Sequence, residues 1–298
     1  MHRYIKRMGI GVGVLLLLVI SIAMTGKILG ERKRARTVSV AVQPVAWATE
    51  PAALERGNYL FRSRGCSECH GKDGGGREFI HDGNGMRVSG PNITLGGATS
   101  KYSAEDWVRI LRHGVRSNGR TALVMPAEDY ARFTNADVSA LVGYVRTLPP
   151  LQGGDTVMEL PLPVLALYGF GAIQDAYEKI DHAAAPAMPV EAAINVQHGA
   201  YVANMCIGCH GPGLSGGNIP GGPPDWPPAA NLTPGANSAL SHYPDTNSFV
   251  AMLRSGKRPD GVAIRVMPFE SLRELNDTDA QALYAFLKTV PAKTAGQR

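Results

Sequence analysis

Two short stretches constrain this chain more than anything else in it. "RGCSECHGKDG" at Arg64–Gly74 and "NMCIGCHGPGL" at Asn204–Leu214 each carry C-x-x-C followed directly by histidine and glycine, and together they use all four cysteines of 298 residues. A motif used twice invites a search for a repeat. At an offset of 142, Gly57 falls on Gly199, Tyr59 on Tyr201, Trp107 on Phe249, Gly114 on Gly256, Met125 on Met267, Pro126 on Pro268 and Asp137 on Asp279. The cysteine motifs themselves differ by 140, because the segment before Cys66 is two residues longer than its counterpart before Cys206. The chain is a duplication.

Disulfides, a zinc site and a redox dithiol compete for four such cysteines. Paired C-x-x-C zinc sites space their halves by about 15–20 residues, whereas Cys69 and Cys206 lie well over a hundred apart. A thioredoxin-type dithiol needs a βαβ setting, and no strand-like run precedes either motif. C-x-x-C-H is the attachment signature of c-type haem. Thiols three residues apart form thioethers with the two vinyl groups, and the adjacent histidine becomes an iron ligand. The expectation is two covalently bound haem c groups, attached at Cys66, Cys69, Cys206 and Cys209, with His70 and His210 as ligands to iron.

Charge is concentrated at one end. Residues 1–36 hold eight Lys/Arg against one acid, a net of +7, and the whole chain sums to +5, so the other 262 residues sum to −2. A folded body without excess cations is not a nucleic-acid surface. Met8–Gly26 runs nineteen residues without a charge, close to the twenty or so that cross a bilayer. No A-x-A-like cleavage site closes it, so an uncleaved anchor over residues 1–36 is expected. Lys27, Arg32, Lys33, Arg34 and Arg36 follow the span, which by the positive-inside rule points the body to the cytoplasm. Haem attachment outside the bacterial cytoplasmic membrane overrides that, and puts the haem domains in the periplasm.

The two motifs, the repeat and the anchor resemble tandem class I c-type cytochromes behind a single N-terminal transmembrane helix. The resemblance implies an all-α fold with a first cytochrome c domain at 50–150, a linker at 151–189 and a second cytochrome c domain at 190–298. It also implies the second iron ligands. Met125 and Met267 occupy matched positions, each precedes proline, and each lies 50–60 residues after its histidine, where class I cytochromes place a methionine ligand. Met86 is the runner-up for the first haem, and His113, beside Gly114, is a further candidate. His81, His182, His198 and His242 have no histidine partner in the other copy and read as surface or loop residues. "NIT" at Asn92 and "NLT" at Asn231 read as local turn chemistry in the haem loop. Caps and stops place helices from Pro51, from Ser103 to Gly114, from Thr134 to Pro149, from Asp245 to Gly256 and from Asn276 to Pro291.

"GPNIT", then a helix, then "MP" and "LPP", further resembles the cytochrome c subunits of periplasmic alcohol, aldehyde and sugar-acid dehydrogenases. Those subunits commonly carry three haems, and this chain carries two motifs. The implied role is outer-sphere electron transfer from a dehydrogenase toward quinone, a soluble cytochrome or a terminal oxidase. The alternative is the dihaem subunit of a haem-copper oxidase. A peroxidase needs a displaceable ligand on one haem, and a cysteine-ligated dihaem enzyme needs a fifth cysteine. The linker, apolar but broken by Pro161 and Pro163, is expected to pack on its own protein. Residues 151–298 carry a net of −4, so acids such as Glu270 and Glu274 are expected to face a basic partner.

Overall fold

The computed structural model of the protein describes residues 2–297 apart from Pro224 and Ala236. Met1 and Arg298, the outer ends of the expected anchor and second domain, lie outside the described residues with those two. The chain opens with a 34-residue helix, α1 (His2–Ala35), the one helix among the described residues long and apolar enough to cross a membrane.

The first repeat then forms α2 (Pro51–Ser63), α3 (Cys66–His70), α4 (Ala104–His113), α5 (Ala127–Tyr130) and α6 (Asn135–Thr147). After the linker helices α7 (Leu162–Gly169) and α8 (Ala176–Lys179), the second repeat gives α9 (Val196–Val202), α10 (Ile207–His210), α11 (Thr246–Ser255), α12 (Phe269–Leu272) and α13 (Asp277–Leu287). The caps legible in the sequence form. The Ser103 and Asp245 side chains accept from the backbone N–H groups of Asp106 and Ser248, and Gly114 and Gly256 end their helices at φ 64° and 71°. Thr134 and Asn276 accept from the N–H groups of Asp137 and Asp279.

In each repeat the first and last helices cross at a glycine. A Cβ on Gly57 would lie 2.0 Å from the Ala140 carbonyl oxygen, and one on Gly199 would lie 2.0 Å from that of Ala282. Only hydrogen fits there, so the offset match of Gly57 with Gly199 records the same crossing of α2 on α6 and of α9 on α13. Around each crossing sits a separate apolar core. One gathers Phe61, Trp107, Leu141 and Val142, and the other gathers Phe249, Leu253, Leu283 and Leu287.

The expectation of an all-α fold is corrected. A three-stranded antiparallel sheet, β1 (Arg77–His81), β2 (Arg87–Gly90) and β3 (Met158–Glu159), lies over the first repeat in the order β1-β2-β3. Its register pairs Arg77 with Gly90 and His81 with Arg87, with an irregularity between Glu78 and Ile80; Val88 then pairs with Met158 of the linker. These strands are too short for alternation to show in the sequence. Cross-strand charge helps hold them, since Arg87 donates to Glu78 at 2.9 Å and to Glu159 at 3.5 Å.

The linker packs on its own protein, as expected, and it ties down the cations after the apolar run. Lys33 pairs with Glu178 at 2.7 Å, and Arg36 with Asp175 at 2.7 Å and Glu178 at 3.1 Å. Asp175 is fully buried and also accepts from Thr121 Oγ1 and Tyr168 Oη, each at 2.8 Å. One carboxylate thus joins the end of α1, the first repeat and α7. The basic cluster that seemed to argue for a cytoplasmic body has a structural use in the fold.

Candidate haem sites and the interface between them

Each C-x-x-C-H forms a short helical turn, in which i, i+3 spacing sets the two cysteines on one face. The turn ends in a glycine. Gly71 stands at φ 77°, ψ 157° and Gly211 at φ 77°, ψ 162°, a conformation essentially confined to glycine. That is the physical content of the glycine after each histidine. The four cysteines form no disulfide. Burial pushes the thiols of Cys66 and Cys206 up to about 12 and that of Cys69 to about 11. A reactive dithiol needs the opposite shift.

The histidines are held identically. His70 Nδ1 donates to the Pro91 carbonyl oxygen at 2.8 Å, and His210 Nδ1 to that of Ala230 at 2.8 Å. With the proton fixed on Nδ1, the lone pair sits on Nε2, the arrangement a metal-ligating imidazole needs. Burial, opposed in part by the bond to Pro91, pushes the His70 pKa below its ordinary value, which keeps the ring neutral. The accepting carbonyls belong to the loops of Asn92 and Asn231, and both asparagines are buried. Asn92 Oδ1 accepts from Thr94 N and Oγ1 at 2.9 and 2.7 Å, and Asn231 Oδ1 from Thr233 at 2.9 and 2.8 Å. "NIT" and "NLT" are turn chemistry.

Met125 packs with Cys66 on the first core, and Met267 with Cys206 on the second. Both sit in the same turn. Pro126 (φ −80°, ψ 62°) and Pro268 (φ −79°, ψ 68°) each centre an inverse γ-turn, closed by Ala127 N donating to Met125 O at 2.8 Å and Phe269 N to Met267 O at 2.9 Å. The second copy alone carries backbone strain there, at Val266 with φ 76°. Met86 lies in the β1–β2 turn and joins neither core. His113 Nδ1 donates to His182 Nδ1 at 2.9 Å, and His182 Nε2 donates to the Tyr177 carbonyl oxygen. Trp107 packs in the first core as expected, with a buried Nε1–H that has no partner among the described residues. A polar edge of a bound cofactor fits that donor.

Reasoning from sequence missed how the two copies meet. Tyr59 Oη donates to Asp279 Oδ2 at 2.7 Å, and Tyr201 Oη donates to Asp137 Oδ2 at 2.5 Å. The same tyrosines accept from Asn276 N and Thr134 N. Residue i of one copy thus contacts residue j of the other in both directions, the signature of an isologous dimer, here within one chain. The haem motifs join in. Glu68 Oε1, between Cys66 and Cys69, accepts from Ser271 N at 2.9 Å and also from its hydroxyl, and Gly208 N, between Cys206 and Cys209, donates to Asp129 Oδ1 at 2.8 Å. Each C-x-x-C-H turn therefore touches the helix that follows the Met-Pro of the other copy.

The interface has a buried ionic centre. Arg64 Nη2 donates to Asp279 Oδ2 at 2.6 Å, and His198 Nε2 to Asp279 Oδ1 at 2.7 Å. Burial disfavours the Asp279 charge, but Arg64 and hydrogen bonds from Arg64, Tyr59 and His198 outweigh it and hold the carboxyl at about 2. His198 is therefore buried at the interface rather than a surface residue. It aligns with Arg56, which grips Asp137 through Nε at 2.9 Å and Nη2 at 3.1 Å. Glu270 pairs with Arg77 at 3.1 Å and Glu274 with Arg62 at 2.7 Å, so these acids face the first repeat.

Comparison with known proteins places the chain beside cytochrome subunits. Residues 52–145 and again 195–287 match the family described as cytochrome C oxidase, cbb3-type, subunit III. The fructose dehydrogenase cytochrome subunit of Gluconobacter japonicus is 27% identical over 84% of this chain and 55% of its own length. The gluconate 2-dehydrogenase cytochrome c subunit of Pantoea cypripedii is 26% identical over 83% of this chain and 61% of its own. The CcoP subunit of the cbb3-type cytochrome c oxidase of Helicobacter pylori is 31% identical over 39% of this chain and 35% of its own. The chain thus spans little more than half the length of the two dehydrogenase subunits.

Proposed function

The chain belongs to the cytochrome C oxidase, cbb3-type, subunit III family and is an electron-transfer cytochrome of c type; from that premise we propose that it is a dihaem relay. Cys66 and Cys69 would hold one haem c and Cys206 and Cys209 the second, with His70 and Met125 as the iron-ligating side chains of the first and His210 and Met267 as those of the second. When bound, each haem supplies a one-electron iron couple, and thioether ligation sets that couple at a raised potential. The protein's own part is positional. Pro91 and Ala230 fix the imidazole tautomers, the Met-Pro turns hold the methionine side chains, and the reciprocal contacts hold each attachment turn against the helix that follows the Met-Pro of the other copy.

The observation that carries this reading is the matched pair of histidines, each with Nδ1 donating to a loop carbonyl at 2.8 Å. The donor we propose is a periplasmic dehydrogenase and the acceptor a quinone-linked or soluble cytochrome pathway to a terminal oxidase, with α1 anchoring the domains to the bacterial inner membrane from the periplasmic side. Similarity to the fructose and gluconate dehydrogenase subunits over most of the chain supports that donor. A second reading, the cytochrome subunit of a haem-copper oxidase, draws on the CcoP similarity, and copurification with a polytopic copper-containing subunit favours it.

The test is stoichiometric. The intact mass after acid–acetone extraction is expected to carry two haem groups, and one or none contradicts the proposal. Met267→Ala is expected to remove about half of the weak methionine–iron absorption band and to lower one potential; an unchanged spectrum reassigns that ligand.

A further inference from the structure

We propose that α7 is a second membrane contact, lying in the boundary between headgroups and acyl chains of the leaflet from which α1 emerges. This rests on reading α1 as the transmembrane anchor. At 1.5 Å per residue its 34 residues measure about 51 Å, whereas the hydrocarbon layer takes about 30 Å. The uncharged run ends at Gly26, so the last turns of α1 rise out of the bilayer. α7 packs at that level. A Cβ on Gly26 would lie 2.6 Å from Ala166 Cβ, one on Gly30 2.3 Å from the Leu165 carbonyl oxygen, and one on Gly169 2.4 Å from that of Gly26. Contacts this close fix the depth of α7 by the depth of α1.

α7 is apolar on more than the face it packs. Leu165 and Tyr168 are buried against the protein, while Leu162 (43%), Leu167 (47%) and Phe170 (51%) are exposed. The stretch 160–174 has no charged residue, although a water-facing helix carries a polar outer face. On α1, Ile22 (52%) and Ile28 (49%) are exposed on either side of the Gly26 contact, so the apolar surface is continuous with that of the anchor. The cations beside it divide by role. Lys33 and Arg36 turn to Glu178 and Asp175, whereas Lys27 and Arg32 are exposed and have no ion-pair partner among the described residues. Apolar side chains at the acyl boundary beneath free cations suit an anionic lipid surface. The occupant of this face is lipid.

The experiment uses the full chain. With the four native cysteines held in haem thioethers, Leu167→Cys or Phe170→Cys takes a single nitroxide label, and Leu162→Cys serves if one label disturbs the fold, as read from the haem spectrum. The protein is placed in vesicles of phosphatidylcholine and phosphatidylglycerol with the iron oxidised throughout, and each label's accessibility to oxygen and to a water-soluble nickel chelate is read against the same sample under nitrogen. Leu16→Cys in the middle of α1 reports the anchor, and Val262→Cys, exposed in the second repeat, reports water. The oxygen-to-nickel ratio at 167 and 170 is expected to be several-fold above that at 262 and below that at 16, as a site at the acyl boundary requires. A ratio at 167 and 170 equal to that at 262, with 16 in lipid, overturns the contact and spares the anchor. Labels at 167 and 170 that are shielded from both reagents only when partner subunits are added assign the face to protein and also overturn it. Water access at 16 removes the anchor reading and α7's contact together.

Discussion

The two aspartates at the start of the last helices, Asp137 and Asp279, occupy one position of the repeat and solve one problem in two ways. Asp137 receives its cation from its own copy, through the fork of Arg56, and a tyrosine hydroxyl from the other. In the second copy the Arg56 position holds His198, and the cation comes across the interface from Arg64. Arg64 has no counterpart, because the segment before Cys206 is two residues shorter and reads Asn204-Met205. The duplication has kept the geometry and redistributed the charge. Asymmetry of this kind makes the copies distinguishable without breaking the pairing that positions both haem motifs.

The largest expected effect is at that asymmetry. Arg64→Ala strands a buried carboxylate, for which a loss of about 3–5 kcal/mol is expected. Arg56→Ala, where the Asp137 carboxylate is buried but the guanidinium is partly exposed and Tyr201 still donates to the carboxylate, is expected to cost about 1–2 kcal/mol, between the surface and buried limits. Denaturant titration followed by haem absorbance measures both, and equal losses erase the difference drawn between the two aspartates.

Acid comes next. Asp279 is held at about 2 against an ordinary 3.8, so its contribution is fully present above pH 4 and fades as pH falls toward 2, amounting to about 2 kcal/mol. In Asp279→Asn that part of the acid sensitivity is expected to vanish, leaving a flatter stability profile between pH 4 and 2. A profile parallel to that of the parent protein shows the carboxylate is not the group concerned.

Gly57→Ala and Gly199→Ala probe what the copies share. Each puts a methyl against a carbonyl oxygen at a helix crossing, and overpacking of this kind costs about 1–3 kcal/mol. The two losses are expected to match within about 0.5 kcal/mol, since the same 2.0 Å approach to a carbonyl oxygen recurs at both crossings. A large disparity in differential scanning calorimetry breaks the equivalence.

The haem motifs, the repeat, the helix caps and the Met-Pro turns were legible in the sequence because each is local. Capping needs three residues, and an inverse γ-turn needs a proline and its neighbours. The interface was hidden although its residues were in view. Tyr59, Tyr201, Asp137 and Asp279 all stand out at offset 142, but a repeat gives each tyrosine two equivalent aspartates and does not say which one it meets. His198 escaped notice because its repeat partner is an arginine, so a search for matched histidines passes over it. The acids Glu270 and Glu274 looked free because net charge says nothing of pairing with Arg77 and Arg62 some two hundred residues away. The sheet was missed because its strands run five, four and two residues.

The central claim is that the reciprocal pairing holds two haem sites together as one relay, and the rate of electron exchange between them tests it most directly. After a flash reduces one haem of the oxidised protein, equilibration with the other is expected as a first-order phase independent of protein concentration. Tyr59→Phe with Tyr201→Phe is expected to slow that phase while both static spectra stay unchanged. A phase whose rate rises in proportion to protein concentration, in the parent protein, contradicts the relay.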